Sequence, residues 1–152
     1  MTHETATRFP LSWPDGWPRT KAGQRRRAAF GTKEPGDYKR PLSVAQAIDR
    51  LSGELYRLGA RHELLSTNLD IRLDGLPRSG QAEPEDRGAA VWFRLKDNPR
   101  CLACDRWDRV ADNIAALAHH IDAMRRMDRY GVGNLEQAFA GYVALPAKAT
   151  DW

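Results

Sequence analysis

Between Leu42 and Leu73 the apolar residues change their period, and that change restricts the fold more than any other feature of the chain. Val44, Ala47, Ile48, Leu51, Leu55 and Leu58 recur at intervals of three and four, the spacing that lines up side chains on one stripe of an α-helix. Ser43 and Gln46 make an S-x-x-Q capping box ahead of them, with Leu42 as a hydrophobic staple. Gly59 stands where a left-handed residue ends a helix. The spacing predicts a helix over 43–58. Past Gly59 the period falls to two. Leu65, Thr67, Leu69, Ile71 and Leu73 share one parity, and Ser66, Asn68, Asp70, Arg72 and Asp74 the other. Such alternation predicts a half-buried strand over 63–73.

The rest of the chain continues in this mixed manner. Residues 75–88 are rich in Gly, Pro and charge and predict a loop. Residues 89–96 alternate again, with Ala89, Val91, Phe93 and Leu95 opposite Trp92, Arg94 and Lys96. Asp97-Asn98-Pro99 reads as a tight turn into a short strand over 100–104, so 89–104 is expected to be a β-hairpin. Asp105 or Asp108 is placed to cap a long helix over 106–130, whose stripe is Trp107, Val110, Ile114, Leu117, Ile121 and Met124, and which Gly131 ends. Asn134 and Gln137 start a short helix over 135–141 that carries Leu135 and Phe139. No internal repeat occurs. The order α-β-β-β-α-α predicts an α+β fold: a small three-stranded antiparallel sheet with helices on its apolar face. Residues 41–145 form that domain, 1–40 an extended arm, and 146–152 a tail that Trp152 can anchor.

The chain has 152 residues, 41% of them hydrophobic. Such a length buries about 70% of its unfolded surface and needs no disulfide or metal to fold. Two cysteines do not make a secreted disulfide scaffold. No apolar run approaches the roughly 20 residues that cross a bilayer, and the first residues lack the pattern of a secretory signal. A cytoplasmic protein with no membrane partner is expected.

The formal net charge of +4 is unevenly placed. Residues 1–40 hold nine Lys/Arg against four Asp/Glu, and residues 41–152 hold fifteen against sixteen. The basic excess is therefore confined to the arm, centred on Lys21, Arg25, Arg26 and Arg27, with Arg19 before them and Lys33, Lys39 and Arg40 after. A basic arm on a near-neutral domain suits contact with phosphate or with an acidic protein surface. The arm also contains Phe9-Pro-Leu-Ser-Trp13-Pro-Asp-Gly-Trp17-Pro18. Two tryptophans in five residues predict packing, on the arm's own domain, on a second copy of the chain, or on a partner. One surface for it is the second sheet face, where Trp92 lies among Arg94, Lys96 and, if the strands pair, Arg72 and Asn68. Left open, that face would stack bases and hold phosphates. Covered by the arm, it would be part of the fold.

Reaction-bearing motifs are sparse. Cys101-Leu-Ala-Cys104 is a single CxxC. On a strand its two thiols point to opposite faces, so it predicts small buried residues rather than a redox or zinc pair. Asp105, Asp108 and Asp112 recur at i, i+3 and i+7 and could present three carboxylates, with Asp70 or Asp74, to Mg²⁺. They also suit a first helical turn. His119 and His120 are adjacent on the predicted helix, so their side chains diverge by about 100°. The phosphate-cradling, dinucleotide-binding and nucleophile-elbow patterns do not occur. No cofactor is expected.

FPLSWPDGWPRT at 9–20, LDGLPRSG at 73–80, AAVWFRLK at 89–96, CDRWDRVADNIAALAHHIDAMRR at 104–126 and YGVGNLEQAFAGYVALP at 130–146 together resemble the N-terminal module of bacterial phage and mobile-element proteins that carry a J-domain. The His-Pro-Asp loop of a J-domain does not occur in this sequence, so no residue is assigned to chaperone stimulation. The resemblance implies a mobile-element context and a role as a recognition module. The leading expectation is a non-enzymatic nucleic-acid-binding accessory module. Its DNA or RNA contacts would come from Trp13, Trp17, Arg19, Lys21, Arg25, Arg26, Arg27, Arg72, Trp92, Arg94 and Lys96. The alternative is a protein-interaction module, an adaptor or an inhibitor of a host complex, anchored by Trp13 and Trp17. A third reading is a metal-dependent nuclease built on Asp105, Asp108 and Asp112.

Overall fold

In a computed structural model the residues described are 5–27, 30–33 and 39–144. The expected tail at 146–152, with Trp152, lies outside them, as do the side chains of Lys33, Lys39 and Arg40. The fold is α+β, with a four-stranded mixed sheet in place of the expected three antiparallel strands. The fourth strand comes from the arm. β1 (Ala6–Arg8) pairs in parallel with β4 (Arg61–Thr67), and β5 (Ala89–Leu95) and β6 (Asn98–Cys104) continue antiparallel, in the order β1-β4-β5-β6. A three-residue strand of Ala, Thr and Arg has no periodicity to show. Its place is decided by the unpaired edge of β4. A separate two-stranded ribbon joins β2 (Gly31–Lys33) to β3 (Lys39–Pro41).

Helix α1 (Val44–Leu58) begins and ends as its sequence predicts. Ser43 Oγ accepts the Gln46 amide, Gln46 Oε1 accepts the Ser43 amide, and Gly59 closes the helix at φ 85°. Helix α2 (Val110–Arg129) starts four residues later than its apolar stripe suggests. Neither Asp105 nor Asp108 caps it, and Trp107 lies in the preceding loop. Instead Glu83, from the long loop, places Oε1 2.8 Å from the Val110 amide. A distant carboxylate thus does the work of a local cap at the positive end of the helix. Helix α3 (Leu135–Phe139) carries the expected capping box, Asn134 with Gln137.

The core lies between α1, α2 and one face of the sheet. Leu51 and Leu55 of α1, Ile114 and Ile121 of α2, Leu65 and Val91 of the sheet, and Phe139 of α3 are all without exposure. At about 1.5–3 kcal/mol for each fully buried large apolar side chain, this layer is the main stabilising term.

Two local expectations fail for identifiable reasons. The strand expected over 63–73, β4, stops at Thr67, because the next residues spend their polar groups locally. Thr67 Oγ1 accepts the Leu69 amide, and Asp70 pairs its amide with Gln81 Oε1. Such side-chain bonds compete with the ladder. Residues 70–78 then fold back on themselves through Arg78 N to Asp70 O and Arg72 N to Leu76 O, around Gly75 at φ 86°. Ile71 and Leu73, expected on the core face, are exposed on this finger. The β5–β6 turn is also displaced. Lys96 and Asp97 take φ 50° and 65°, which makes a two-residue connection between Leu95 and Asn98. That turn matches the twist of the strands, so Asn98 and Pro99 enter β6. The outer edge of β6 is met by the segment after α3: Cys101 N donates to Tyr142 O, and Ala144 N to Pro99 O.

Candidate nucleic-acid interface

The arm crosses the second face of the sheet and packs on Trp92, which is left half-buried. Its backbone is held by side chains that alternate away from the core. The Leu11 amide donates to Asn68 Oδ1 at 3.0 Å, the Ser12 amide to Ser66 Oγ at 3.0 Å, and Trp92 Nε1 donates to Ser12 O at 3.3 Å. Residues that sequence alternation assigns to the solvent face are therefore a ladder for the arm. Gly88 lies directly beneath it: a β-carbon there would stand 3.1 Å from Leu11 Cδ2 and 3.2 Å from Trp13 Cζ3. Trp13 Nε1 donates to Trp17 O, and the Trp17 ring lies 5.7 Å from that of Tyr142.

The pairing register separates the residues expected to surround Trp92. Leu64, not Arg72 or Asn68, stands opposite it on β4. Arg72 belongs to the finger and pairs with Asp74 at 2.8 Å. Arg94 donates to Asp97 O, and Lys96 pairs with Glu136 at 3.0 Å. These three cations and Trp92 do not make one open platform.

A different basic surface forms farther along the arm. Asp105, 6% exposed, accepts Arg19 Nε and the Thr20 amide on Oδ2, both at 3.0 Å, while Arg19 Nη2 reaches Asp86 at 2.6 Å. The Arg19 guanidinium also lies 4.2 Å from the Trp13 ring centre. Six residues later the chain is clamped again on the same segment: Arg26 N donates to Arg106 O, and Asp108 N to Arg26 O, each at 3.0 Å. Between the clamps a short 3₁₀ turn (Ala22–Gln24) arches outward. The arch and Arg106 enclose an open cleft of about 470 Å³ lined by Thr20, Gly23, Gln24, Arg25, Arg26 and Arg106.

Several cations of the described surface are paired with carboxylates, and those around this cleft are not. Arg19, Arg72, Arg78, Lys96 and Arg125 each hold a carboxylate. Lys21, Arg25, Arg26, Arg27 and Arg106 hold none among the described residues. Asp108 is joined to Arg26 through its backbone amide. Of the basic residues named from the sequence, Lys21, Arg25, Arg26 and Arg27 thus gather at one end of the arm, and Arg19 ties that end down. Arg106 was missed, because the DRWDR spacing reads as the first turn of a helix that starts only at Val110.

The remaining motifs have structural partners. Asp112 is buried and lies 3.8 Å from Arg109; burial raises its carboxyl above the usual range. With Asp105 and Asp108 in the loop, the three carboxylates do not share a helix face, and the described residues contain no group of three or more His, Cys, Asp or Glu arranged to hold a metal ion. Cys101 and Cys104 form no disulfide and stand opposite Trp92 and Ala89 on the ladder. Burial pushes the Cys104 thiol up, away from the thiolate that redox work requires. His119 stacks on Phe30 at 4.9 Å and His120 meets the edge of Tyr142 at 5.5 Å, so the two imidazoles serve different contacts. Asn113, fully buried, is the polar hub that sequence reading overlooked. It accepts the Trp107 amide and donates to Arg87 O and Trp107 O. No helix among the described residues is long and apolar enough to cross a membrane. Comparison with protein-family models, with curated proteins and with solved structures found no match in any of the three.

Proposed function

We propose that this protein is a non-enzymatic nucleic-acid-binding accessory module of a phage or mobile element, and that the clamped arch of its arm contacts phosphates. The observation that carries this reading is the group of guanidinium ions around the cleft, Arg25, Arg26 and Arg106, without carboxylate partners among the described residues. Guanidinium groups match phosphate oxygens in charge and in fork geometry. The two clamps hold the arch in place before binding, which lowers the ordering cost of contact. The mobile-element context rests on the sequence phrases that resemble modules of such proteins. A protein-interaction module anchored on Trp13 and Trp17 has less support, since Trp13 spends its indole N–H on Trp17 O and its ring face on Arg19.

The test is the salt dependence of binding to labelled oligonucleotides by fluorescence anisotropy. Three phosphate contacts give a slope of log K on log salt near −2.7 on duplex DNA, about a 40-fold loss of affinity from 50 to 200 mM salt. The triple variant Arg25→Ala, Arg26→Ala, Arg106→Ala is expected to flatten that slope. No binding at 50 mM salt, or binding indifferent to salt, refutes the reading.

A further inference from the structure

A second cavity opens next to the arginine cleft. Its volume is about 270 Å³, and Trp17, Leu102, Cys104, Leu117, His120 and Tyr142 line it. The linings of the two cavities have no residue in common but lie close along the chain. Trp17 precedes Thr20 of the cleft by three residues, and Cys104 precedes Arg106 by two. Even fully extended, those connections span no more than about 11 Å and 7 Å. The floor of the pocket is apolar, made by Leu102 of β6 and Leu117 of α2. Three rings stand around it: Trp17 and Tyr142 lie 5.7 Å apart and tilted by 34°, and His120 meets Tyr142 edge-on at 85°. Trp17 and Tyr142 are only half-buried, so part of each ring remains available to a ligand.

Resting on the nucleic-acid reading above, we propose that this pocket takes one nucleobase of a single-stranded segment whose phosphates lie in the cleft of Arg25, Arg26 and Arg106. The occupant follows from the pairing of the two cavities. A ligand that is anionic at one end and flat and apolar at the other, repeating at short range, is a nucleotide chain. The pocket is below the about 300–1,000 Å³ of drug-sized sites, which suits one ring system and excludes a stacked pair. His120 supplies the polar handle. The residue keeps much of its surface in solvent, but its ring packs against Tyr142, and this partial desolvation holds the imidazole below the ordinary 6.5, so at neutral pH it offers one donor and one acceptor to a base edge. A base paired inside a duplex cannot enter, so the pocket selects single strands.

Anisotropy titrations with a twelve-residue oligothymidylate, an abasic strand of the same length and a duplex decide the matter. The wild-type protein is expected to prefer oligothymidylate over the abasic strand by roughly 5- to 150-fold, the effect of one base stacked on an aromatic side chain. Ala116 also lines the pocket, from α2, and Ala116→Phe, which fills it, is expected to abolish the preference and leave the salt slope unchanged. His120→Ala, at an exposed position that folding tolerates, is expected to reduce it and serves if Ala116→Phe fails to fold. Equal affinity of the wild-type protein for the oligothymidylate and the abasic strand, with a normal salt slope, overturns the base pocket and leaves the phosphate reading standing. So does a preference that persists in both variants. Absence of binding to all three ligands at 50 mM salt overturns both.

Discussion

Replacing Asn113 by Ala is expected to be among the most damaging single changes in this protein, although the residue belongs to no stripe and no motif. Its side chain is without exposure. The amide nitrogen donates to Arg87 O at 2.8 Å and to Trp107 O at 3.1 Å, and the amide oxygen accepts the Trp107 amide at 3.0 Å and the Cys104 thiol at 3.3 Å. Truncation leaves three backbone groups without this partner in a place closed to water. At about 1 kcal/mol net for each, the loss is about 3 kcal/mol, before any cavity cost. For a chain of this size that lowers the melting temperature by about 6–12 °C. Urea unfolding followed by far-ultraviolet circular dichroism measures it directly: the midpoint falls and the slope m stays the same. Asn113→Asp separates hydrogen bonding from volume, because it keeps the acceptor, removes both donors and buries a charge. It is expected to lose more stability at pH 7 than near pH 4, where protonation returns one donor. A loss below about 1 kcal/mol in Asn113→Ala, or an Asp variant indifferent to pH, refutes the account of Asn113 as the pin between the 87–88 and 104–107 segments.

Gly88→Ala tests the seat of the arm: its β-carbon would press on Leu11 and Trp13 at 3.1 and 3.2 Å. Tryptic cleavage between Arg19 and Arg27 is expected to accelerate while the core stays folded, and an unchanged cleavage rate argues against an arm seated there. Asp112 sets a pH dependence. Burial lifts its folded value above the ordinary 3.8, more than Arg109 lowers it. The folded state therefore holds this proton more tightly than the unfolded one, and stability contributed by the neutral acid is lost as pH rises through and above that range. Asp112→Asn is expected to be the more stable protein at pH 7, with the gap closing as pH falls to about 4. Melting temperatures across that interval check it, and a wild-type protein that is more stable at pH 7 contradicts it.

Much of the frame can be read without coordinates, for a local reason. The caps of α1 and α3 depend on residues three apart, Ser43 with Gln46 and Asn134 with Gln137, so their chemistry is complete within one turn of chain. The stripe of α1 and the alternation of β5 are likewise properties of consecutive residues. Where a polar group finds its partner nearby but outside the expected element, the reading slips by a few residues. Thr67 ends β4 early in this way, and Lys96-Asp97 takes over the turn assigned to Asp97-Asn98-Pro99.

The candidate site is different in kind, because its parts are far apart in sequence. Charge composition alone locates the basic excess in residues 1–40 and shows that the domain behind it is close to neutral. It cannot say which of those cations are already neutralised. That depends on Asp86 and Asp105 reaching Arg19 across more than sixty residues, and on Arg106 joining Arg25 and Arg26 because two backbone clamps hold the arch against 105–108. The fate of Trp92 was equally open, since an alternating strand shows which residues leave the core and not what covers them. Ser66 and Asn68 decide it by offering the arm the hydrogen bonds that its extended, proline-rich backbone cannot make to itself. Periodicity and caps are local physics and belong to the sequence; ion pairing, the packing of the arm on a sheet face and the gathering of Arg25, Arg26 and Arg106 around one cleft are decided by distance in space, and only the tertiary structure sets those distances.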